Sequence, residues 1–376
     1  MNVAPGSLPN SKTPTGRLAA VDGLRGVAAC AVMFFHYTLF DSLYEKPTEL
    51  HPIFYLGYYG VHLFFVISGF VISMTLDKTP ALWTFVLMRG GRIFPAYWAA
   101  VSLTFSVLTM APLPHNQPSI ATYLINLTLL QKFIGVPHID DVYWTLTVEV
   151  CFYAIMFAVY KSKQQLHLIR WCTGWLIFQL AAAILEHAHA LTLPKSIKVA
   201  TLFEFGHLFI AGILFSQSRL AGIKPLHLFL LSWCVAAQFY IPLRSFDWMP
   251  YRNFDGGIVA AIFVLFAFAI RSRMGFLTSK PLLFLGGISY TLYLLHYQIG
   301  VVLITALIAT GLPRTAAIAI TVGSVVFIAL ILSKIIERPA LELVREKSKE
   351  LFPVRRLKNI PPAGRGTGPA TYNKRL

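Results

Sequence analysis

The stretch LRGVAACAVMFFH, from Leu24 to His36, places an arginine and a histidine inside a segment that is otherwise apolar enough to span a membrane. On an α-helix, the eleven residues from Arg25 to His36 correspond to roughly 16 Å of rise and about three turns, so the two side chains lie on nearly the same face. One alternative is an arginine at the membrane interface and a histidine hydrogen-bonded between helices. Ionisable groups within a membrane are unfavourable, however, and usually line a cavity or a pathway. We therefore expect a polar site inside a membrane protein.

The composition of the whole chain is typical of an integral membrane protein. Of the 376 residues, 56% are hydrophobic and 13% are charged, whereas ordinary soluble domains carry about 25% charged residues. The net charge of +16 lies mostly in short loops and in the C-terminal segment, where it sets orientation and contacts anionic lipid rather than nucleic acid. The four cysteines fall in separate apolar runs and predict neither a disulfide framework nor a metal site.

Ten apolar runs are long enough to cross the hydrocarbon core of a bilayer, which takes about 17–25 helical residues. We expect an all-α, polytopic membrane helix bundle with about ten transmembrane helices, at residues 20–40, 57–76, 93–110, 144–160, 168–187, 200–217, 226–242, 255–271, 284–308 and 315–336. Lysine and arginine in alternate loops place both termini in the cytoplasm, and the first run is expected to be retained rather than cleaved. The chain then divides into a cytoplasmic segment at 1–17, a membrane domain at 18–340 and a basic, partly disordered cytoplasmic tail at 341–376.

Further charged residues lie at or inside the predicted spans. Arg89 and Arg92, at the predicted inner entry to the third span, either anchor that helix or bind a phosphorylated ligand, since guanidinium groups bind phosphate bidentately. Asp22, one turn before Arg25, is a candidate ion-pair partner for it. Glu149, in the fourth span, needs a partner from another helix or a proton, because an unpaired carboxylate is unfavourable in hydrocarbon. An interhelical hydrogen bond with a purely structural role is the alternative for Glu149.

The ninth predicted span carries a cluster of hydroxyl groups and a histidine in GGISYTLYLLHYQ, residues 286–298. Ser289, Tyr290, Tyr293 and His296 suit either helix packing or a polar site within the bundle, because tyrosine and histidine are common at membrane interfaces. The pattern alone leaves both interpretations open.

Taken together, these stretches resemble the acyltransferase 3 family of integral membrane acyltransferases. The resemblance is carried, in order along the chain, by DGLRGVAACAVMFFH (22–36), GVHLFFVISGFVIS (60–73), FVLMRGGRIFPAYW (85–98), YLINLTLLQ (123–131), WTLTVEVCFY (144–153), ISYTLYLLH (288–296) and IIERP (335–339). The arginine and histidine separated by ten residues, together with the Arg-x-x-Arg of the third span, are the most specific of these motifs. Val150-Cys151 and His62 depart from residues that are frequent in the family, which bears on the choice of acceptor.

The resemblance implies an enzyme that transfers an acyl group, most often acetyl, from cytosolic acyl-CoA to a hydroxyl group of a sugar, polysaccharide or lipid-linked glycan at the bacterial inner membrane. Acyl-CoA is then a co-substrate, and no metal ion is implied. Arg25, Arg89 and Arg92, at the predicted inner mouth, are the candidates for binding the CoA phosphates. The outer loops at 111–143 and 243–254 carry aromatic, His and Asp side chains that suit sugar contacts. Longer members carry an extracytoplasmic esterase-like domain, and we expect this membrane part to act without one.

Within this resemblance, His36 is the candidate general base that removes the proton from the acceptor hydroxyl. Such a base typically contributes about 10²–10⁴-fold in rate. A covalent acyl-histidine intermediate is the alternative. Glu149 either orients the imidazole or positions the acceptor, and Tyr290 or Ser289 donates to the developing oxyanion.

A second class of function also suits buried arginine, histidine and glutamate residues. A transporter or flippase for a glycolipid or small solute uses such groups in proton coupling. The internal repeats that are typical of carriers are not evident in the sequence. A structural partner in an assembly complex would leave the aligned polar face unexplained.

Overall fold

The structure, a computed structural model, describes residues 16–39, 52–77, 79, 81–111, 117–241, 254–271 and 274–352. Every regular element in these ranges is helical. The α-helices are α1 (Gly16–Leu39), α2 (Gly60–Leu76), α3 (Leu82–Met110), α4 (Ile120–Asn126), α5 (Trp144–Lys161), α6 (Leu168–His187), α7 (Lys195–Ala200), α8 (Gly206–Ala221), α9 (Pro225–Tyr240), α10 (Asp255–Ile270), α11 (Lys280–Gly287), α12 (Ser289–Leu295), α13 (Tyr297–Ala309), α14 (Arg314–Leu332) and α15 (Arg338–Leu351). The remaining helical elements are short 3-10 helices at Pro52–Tyr59, Asp141–Tyr143, Gln165–His167 and Gly275–Thr278, and one π-helical turn at Ser333–Glu337.

The described helices confirm an all-α membrane architecture, although the predicted count of ten spans is not confirmed. Within the described residues, six helical segments are long and apolar enough to cross a membrane: Ala19–Thr38, Phe54–Leu76, Leu82–Met110, Asp141–Lys161, Leu168–His187 and Arg314–Leu351. Helices α12 and α13 form a further apolar segment that bends by 58° at a break between them. Helices α9 and α10 are apolar but shorter. The predicted ninth span is therefore a broken helix rather than a continuous one.

Helix α3 begins at Leu82, well before the predicted start of the third span at residue 93. The Gly90-Gly91 pair remains helical because α15 packs directly on it. A Cβ atom added at Gly91 would lie 2.6 Å from the side chain of Val344. Arg89 and Arg92 therefore lie three residues apart on one face of a continuous helix.

Helices α2 and α8 pack with their backbones in direct contact. A Cβ atom added at Gly69 would lie 2.1 Å from the carbonyl oxygen of Phe209, and one added at Gly212 would lie 2.1 Å from the carbonyl oxygen of Val66. Small residues allow this close approach in membrane helix bundles. The two glycines thereby fix the position of α2, which forms one wall of the site described below.

Helix α1 makes a similar contact with the segment that precedes α12. A Cβ atom added at Gly23 would lie 2.0 Å from the carbonyl oxygen of Leu277, and one added at Gly286 would lie 2.0 Å from the carbonyl oxygen of Asp22. These contacts fix the rotation of α1 about its axis. They therefore also fix the direction in which its polar side chains project.

The glycine contact between α2 and α8 gives a prediction for stability. We expect Gly212→Ala to destabilise the fold by about 1–3 kcal/mol, because the added methyl group forces the two helices apart. Thermal unfolding in detergent measures this effect as a lower Tm. Gly323→Ala is the matched control, since no atom lies within 4 Å of a Cβ atom at that position. Equal Tm values for the two variants would contradict the predicted contact.

Candidate active site

Three arginines from two helices line one pocket, called here the arginine pocket. Arg25 projects from α1, and Arg89 and Arg92 project from α3. Ser68 of α2 and Glu149 of α5 complete its polar lining together with Thr145, Tyr153, Ser289, Tyr290 and Tyr293. The cavity measures about 100 Å³. The structure thus brings together the three predicted phosphate ligands, Glu149 and the two candidate oxyanion donors, Ser289 and Tyr290.

The arginine pocket contains more positive than negative groups. Three guanidinium groups line it, and Glu149 supplies its one carboxyl group. Among the residues that the structure describes, the one ion pair with an N···O distance within 4.0 Å joins Lys198 to Glu186, and this pair lies outside the arginine pocket. The pairing of Asp22 with Arg25, considered from the sequence, is therefore not formed. Guanidinium groups without a carboxylate partner attract an anionic ligand and bind it bidentately.

Arg89 is oriented by groups on three helices. Its Nη2 donates a hydrogen bond to Thr75 Oγ1 at 3.1 Å. The guanidinium carbon lies 5.7 Å from the ring centroids of both Phe85 and Tyr153. Cation–π contacts of this kind hold a guanidinium group in place without neutralising its charge.

Glu149 is held by two hydroxyl groups in the same pocket. Its Oε1 accepts hydrogen bonds from Ser68 Oγ at 2.9 Å and from Tyr153 OH at 2.5 Å. Tyr153 also contacts Arg89, so the glutamate is joined to the arginine through one aromatic ring. The partner from another helix that the sequence requires for Glu149 is therefore Ser68 of α2.

Ser289 and Tyr290 also line the arginine pocket, and their hydroxyl groups donate to main-chain carbonyls. Ser289 Oγ donates to Gly286 O at 2.8 Å, and Tyr290 OH donates to Ile93 O at 2.8 Å. An oxyanion therefore has to replace these carbonyl partners in order to receive a hydrogen bond from either hydroxyl.

A second, larger pocket of about 400 Å³ surrounds the ring of His36 and is called here the His36 pocket. Its walls include Tyr58, Trp144, Phe205 and Tyr297 together with the polar residues Lys132, His138, Asp141 and Glu204. Val61 of α2 and Tyr293 of α12 line both this pocket and the arginine pocket. The two pockets therefore adjoin, with these two side chains forming the boundary between them.

His36 is paired with a second histidine. Its Nδ1 lies 2.9 Å from Nε2 of His296, and its ring centroid lies 4.5 Å from that of Tyr297. His296 is fully buried at the break between α12 and α13, and its Nδ1 lies 2.8 Å from the carbonyl oxygen of Tyr293. The sequence singled out His296 without giving it a role. The sequence signal that pointed to His296 was its position at the end of the motif ISYTLYLLH, which also contains Tyr293.

Connecting segments supply the charged groups of the His36 pocket. Lys132 Nζ lies 5.2 Å from the centroid of the Trp144 ring. Burial lowers the pKa of Lys132 and lowers that of His138 to about 4, so His138 is uncharged near neutral pH. Burial raises the pKa of Glu204 above its ordinary value. Aromatic faces and hydrogen-bonding groups in one cavity suit a polyhydroxylated ligand. Residues 243–253, the other predicted source of such groups, lie outside the described residues.

Comparison with known proteins identifies a family for this chain. The family described as "Acyltransferase domain" (Acyl_transf_3) matches residues 18–334. Exopolysaccharide production protein ExoZ of Rhizobium meliloti (strain 1021) is 27% identical over 325 residues, which are 81% of this chain and 96% of that protein.

Two other relatives match over shorter regions. Nodulation protein 10 of Rhizobium leguminosarum bv. viciae is 28% identical over 178 residues, which are 39% of this chain and 45% of that protein. Acyltransferase MdmB of Streptomyces mycarofaciens is 26% identical over 183 residues, and the match covers 45% of each chain. The chain thus spans less than half the length of these two relatives. No solved structure matches the chain. Because the family match covers most of its length, the chain belongs to the acyltransferase 3 family.

Proposed function

We propose that this protein is a membrane-embedded O-acyltransferase that moves an acyl group, acetyl in the simplest case, from acyl-CoA to a hydroxyl group of a glycan. One observation supports this proposal most: a pocket lined by three arginines adjoins a pocket around a histidine, with Val61 and Tyr293 between them. A donor in the first pocket and an acceptor in the second would meet at this boundary.

The donor is proposed to enter from the cytosol through the arginine pocket. CoA carries several phosphate groups, and Arg25, Arg89 and Arg92 would bind them at the inner mouth. Glu149 accepts from Ser68 and Tyr153 and lines the arginine pocket but not the His36 pocket. We therefore propose that it orders the donor side of the site, rather than orienting the imidazole or positioning the acceptor.

The acceptor is proposed to occupy the His36 pocket. ExoZ, whose match covers 81% of this chain, is named for exopolysaccharide production. Its name supports a polysaccharide, or a precursor of one, as the acceptor class. Trp144 and Tyr297 offer aromatic faces to a sugar ring, and His138 and Asp141 offer hydrogen bonds to its hydroxyl groups.

The proposed chemistry is direct transfer with His36 as general base. Neutral His36 removes the hydroxyl proton as the acceptor oxygen attacks the thioester carbonyl. The carbon–oxygen bond forms, the carbon–sulfur bond breaks, and the imidazolium returns the proton to the leaving thiolate. Tyr290 or Ser289 stabilises the oxyanion of the intermediate by donating a hydrogen bond.

Donor binding tests the enzyme against the carrier alternative. We expect acetyl-CoA to raise the Tm of the protein in lipid nanodiscs, since a ligand at 100 times its Kd contributes about 2.7 kcal/mol. Free acetate at the same concentration is expected to leave the Tm unchanged. Mass spectrometry of surface glycans, with and without the protein, then reports the added acyl group and its carrier molecule. Identical glycan masses combined with no effect of acetyl-CoA on Tm would contradict the proposal and favour a carrier.

A further inference from the structure

A continuous chain of hydrogen bonds leads from the ring of His36 to the main chain. The Nδ1 of His296 lies 2.8 Å from the carbonyl oxygen of Tyr293. A carbonyl oxygen only accepts hydrogen bonds, so this Nδ1 carries a proton. A neutral imidazole has a single N–H group, and Nε2 of His296 therefore carries a lone pair and acts as an acceptor.

The donor to that lone pair is Nδ1 of His36, at a distance of 2.9 Å. Because Nε2 of His296 can only accept, the hydrogen in this contact belongs to Nδ1 of His36. His36 therefore carries its proton on Nδ1 and its lone pair on Nε2.

We propose that His296 is a positioning residue, which fixes His36 in the tautomer whose Nε2 accepts the proton of the acceptor hydroxyl. The proposal rests on the function given above, in which His36 is the base. His296 is fully buried and lines neither pocket, so it acts through His36 rather than on a substrate. When His36 becomes an imidazolium, the same hydrogen bond becomes charge-assisted and stabilises it.

Other titratable groups surround the histidine pair and are unchanged in the tests below. Lys132, His138, Asp141 and Glu204 reach the His36 pocket from connecting segments, and Tyr58, Tyr293 and Tyr297 reach it from helices or turns. Asp140 accepts from the main-chain N–H of Gln298, and Tyr37 OH donates to the carbonyl oxygen of His296. The His296 variants leave all of these side chains in place. A shift in the kcat–pH profile is therefore compared between proteins that differ only at His296.

The kinetic test compares two substitutions of His296. We expect His296→Ala to lower kcat by about 10–100-fold, the loss that is typical when the hydrogen-bond partner of a metal-ligating histidine is removed. The KM for acyl-CoA is expected to stay unchanged, and the acidic limb of the kcat–pH profile is expected to move to lower pH, because the imidazolium loses its partner. His296→Gln is expected to restore most of kcat, since its amide oxygen accepts the same hydrogen bond. His187→Ala, which removes a histidine with a similar carbonyl contact outside both pockets, serves as the control.

A spectroscopic test decides the tautomer independently of activity. In protein labelled with ¹⁵N-histidine, the His36 signals are assigned as those lost in His36→Gln. We expect a protonated Nδ1 and an unprotonated Nε2 in wild type, and loss of this preference in His296→Ala. An unprotonated Nδ1, or equal losses of kcat in His296→Ala and His296→Gln, would overturn the proposal. A wild-type protein that transfers no acyl group would overturn the proposed function, whereas the tautomer assignment would still be decided by these spectra.

Discussion

The variant His36→Gln is expected to transfer acyl groups about 10²–10⁴-fold more slowly than the wild type, which is the range that a general base contributes. Glutamine retains hydrogen-bonding atoms of similar size at the boundary of the His36 pocket, so the fold and the pocket are expected to persist. It has no nitrogen lone pair that can take up a proton near neutral pH. The loss should therefore appear in kcat, while acetyl-CoA still raises the Tm.

The measurement is the steady-state rate of labelled acyl transfer by purified protein in lipid, with folding checked by Tm. His189→Gln is the matched control, because His189 is exposed in the turn that follows α6. A His36→Gln protein that is folded and turns over at the wild-type rate would remove His36 from the chemistry. An acyl group trapped on His36 in a rapid-quench experiment would instead replace direct transfer by the acyl-histidine alternative.

The second large effect is expected at the arginine pocket. Arg92→Gln should raise the KM for acyl-CoA by about 10–100-fold, since a hydrogen bond to a charged group is worth about 1.5–3 kcal/mol. The kcat at saturating donor should change less than the KM, because Arg92 is proposed to bind a phosphate group rather than the reacting carbonyl. Arg92 suits this test better than Arg89, whose side chain also packs on Phe85 and Tyr153.

The control for Arg92→Gln must remove the same charge elsewhere. Arg170→Gln does so on α6, outside both pockets. We expect its donor KM to equal that of the wild type, and we expect the effect of Arg92→Gln to shrink at high ionic strength. Equal effects of the two substitutions would assign the result to general electrostatic attraction, and an effect on acceptor KM alone would contradict phosphate binding by Arg92.

The sequence predicted well those features that depend on composition and helical spacing. The apolar runs indicated a helical membrane protein, and the arginines of α1 and α3 were expected at one mouth. The structure brings Arg25, Arg89 and Arg92 into one pocket, as the spacing of the latter two suggested. Their roles in binding stay predictions until the donor is measured.

Features that depend on tertiary packing were not predictable. The spacing placed Arg25 and His36 on nearly the same face of α1, yet they line two different pockets, because Val61 and Tyr293 from other helices lie between these pockets. Hydropathy measures composition and therefore could not reveal the 58° bend between α12 and α13. The pairing of His36 with His296 spans 260 residues of sequence, and only the folded chain brings the two rings together.

The break between α12 and α13 bears on how acceptor preference can diversify. The ring of His296 is anchored on a main-chain atom, since its Nδ1 lies 2.8 Å from the carbonyl oxygen of Tyr293. A main-chain carbonyl group is retained through most substitutions, so this contact is expected to survive changes in the surrounding side chains. The loop-borne side chains Lys132, His138 and Glu204 have no such role in this arrangement. In the proposed function, the side chains that face the acceptor can therefore change while the pairing of His36 with His296 is retained.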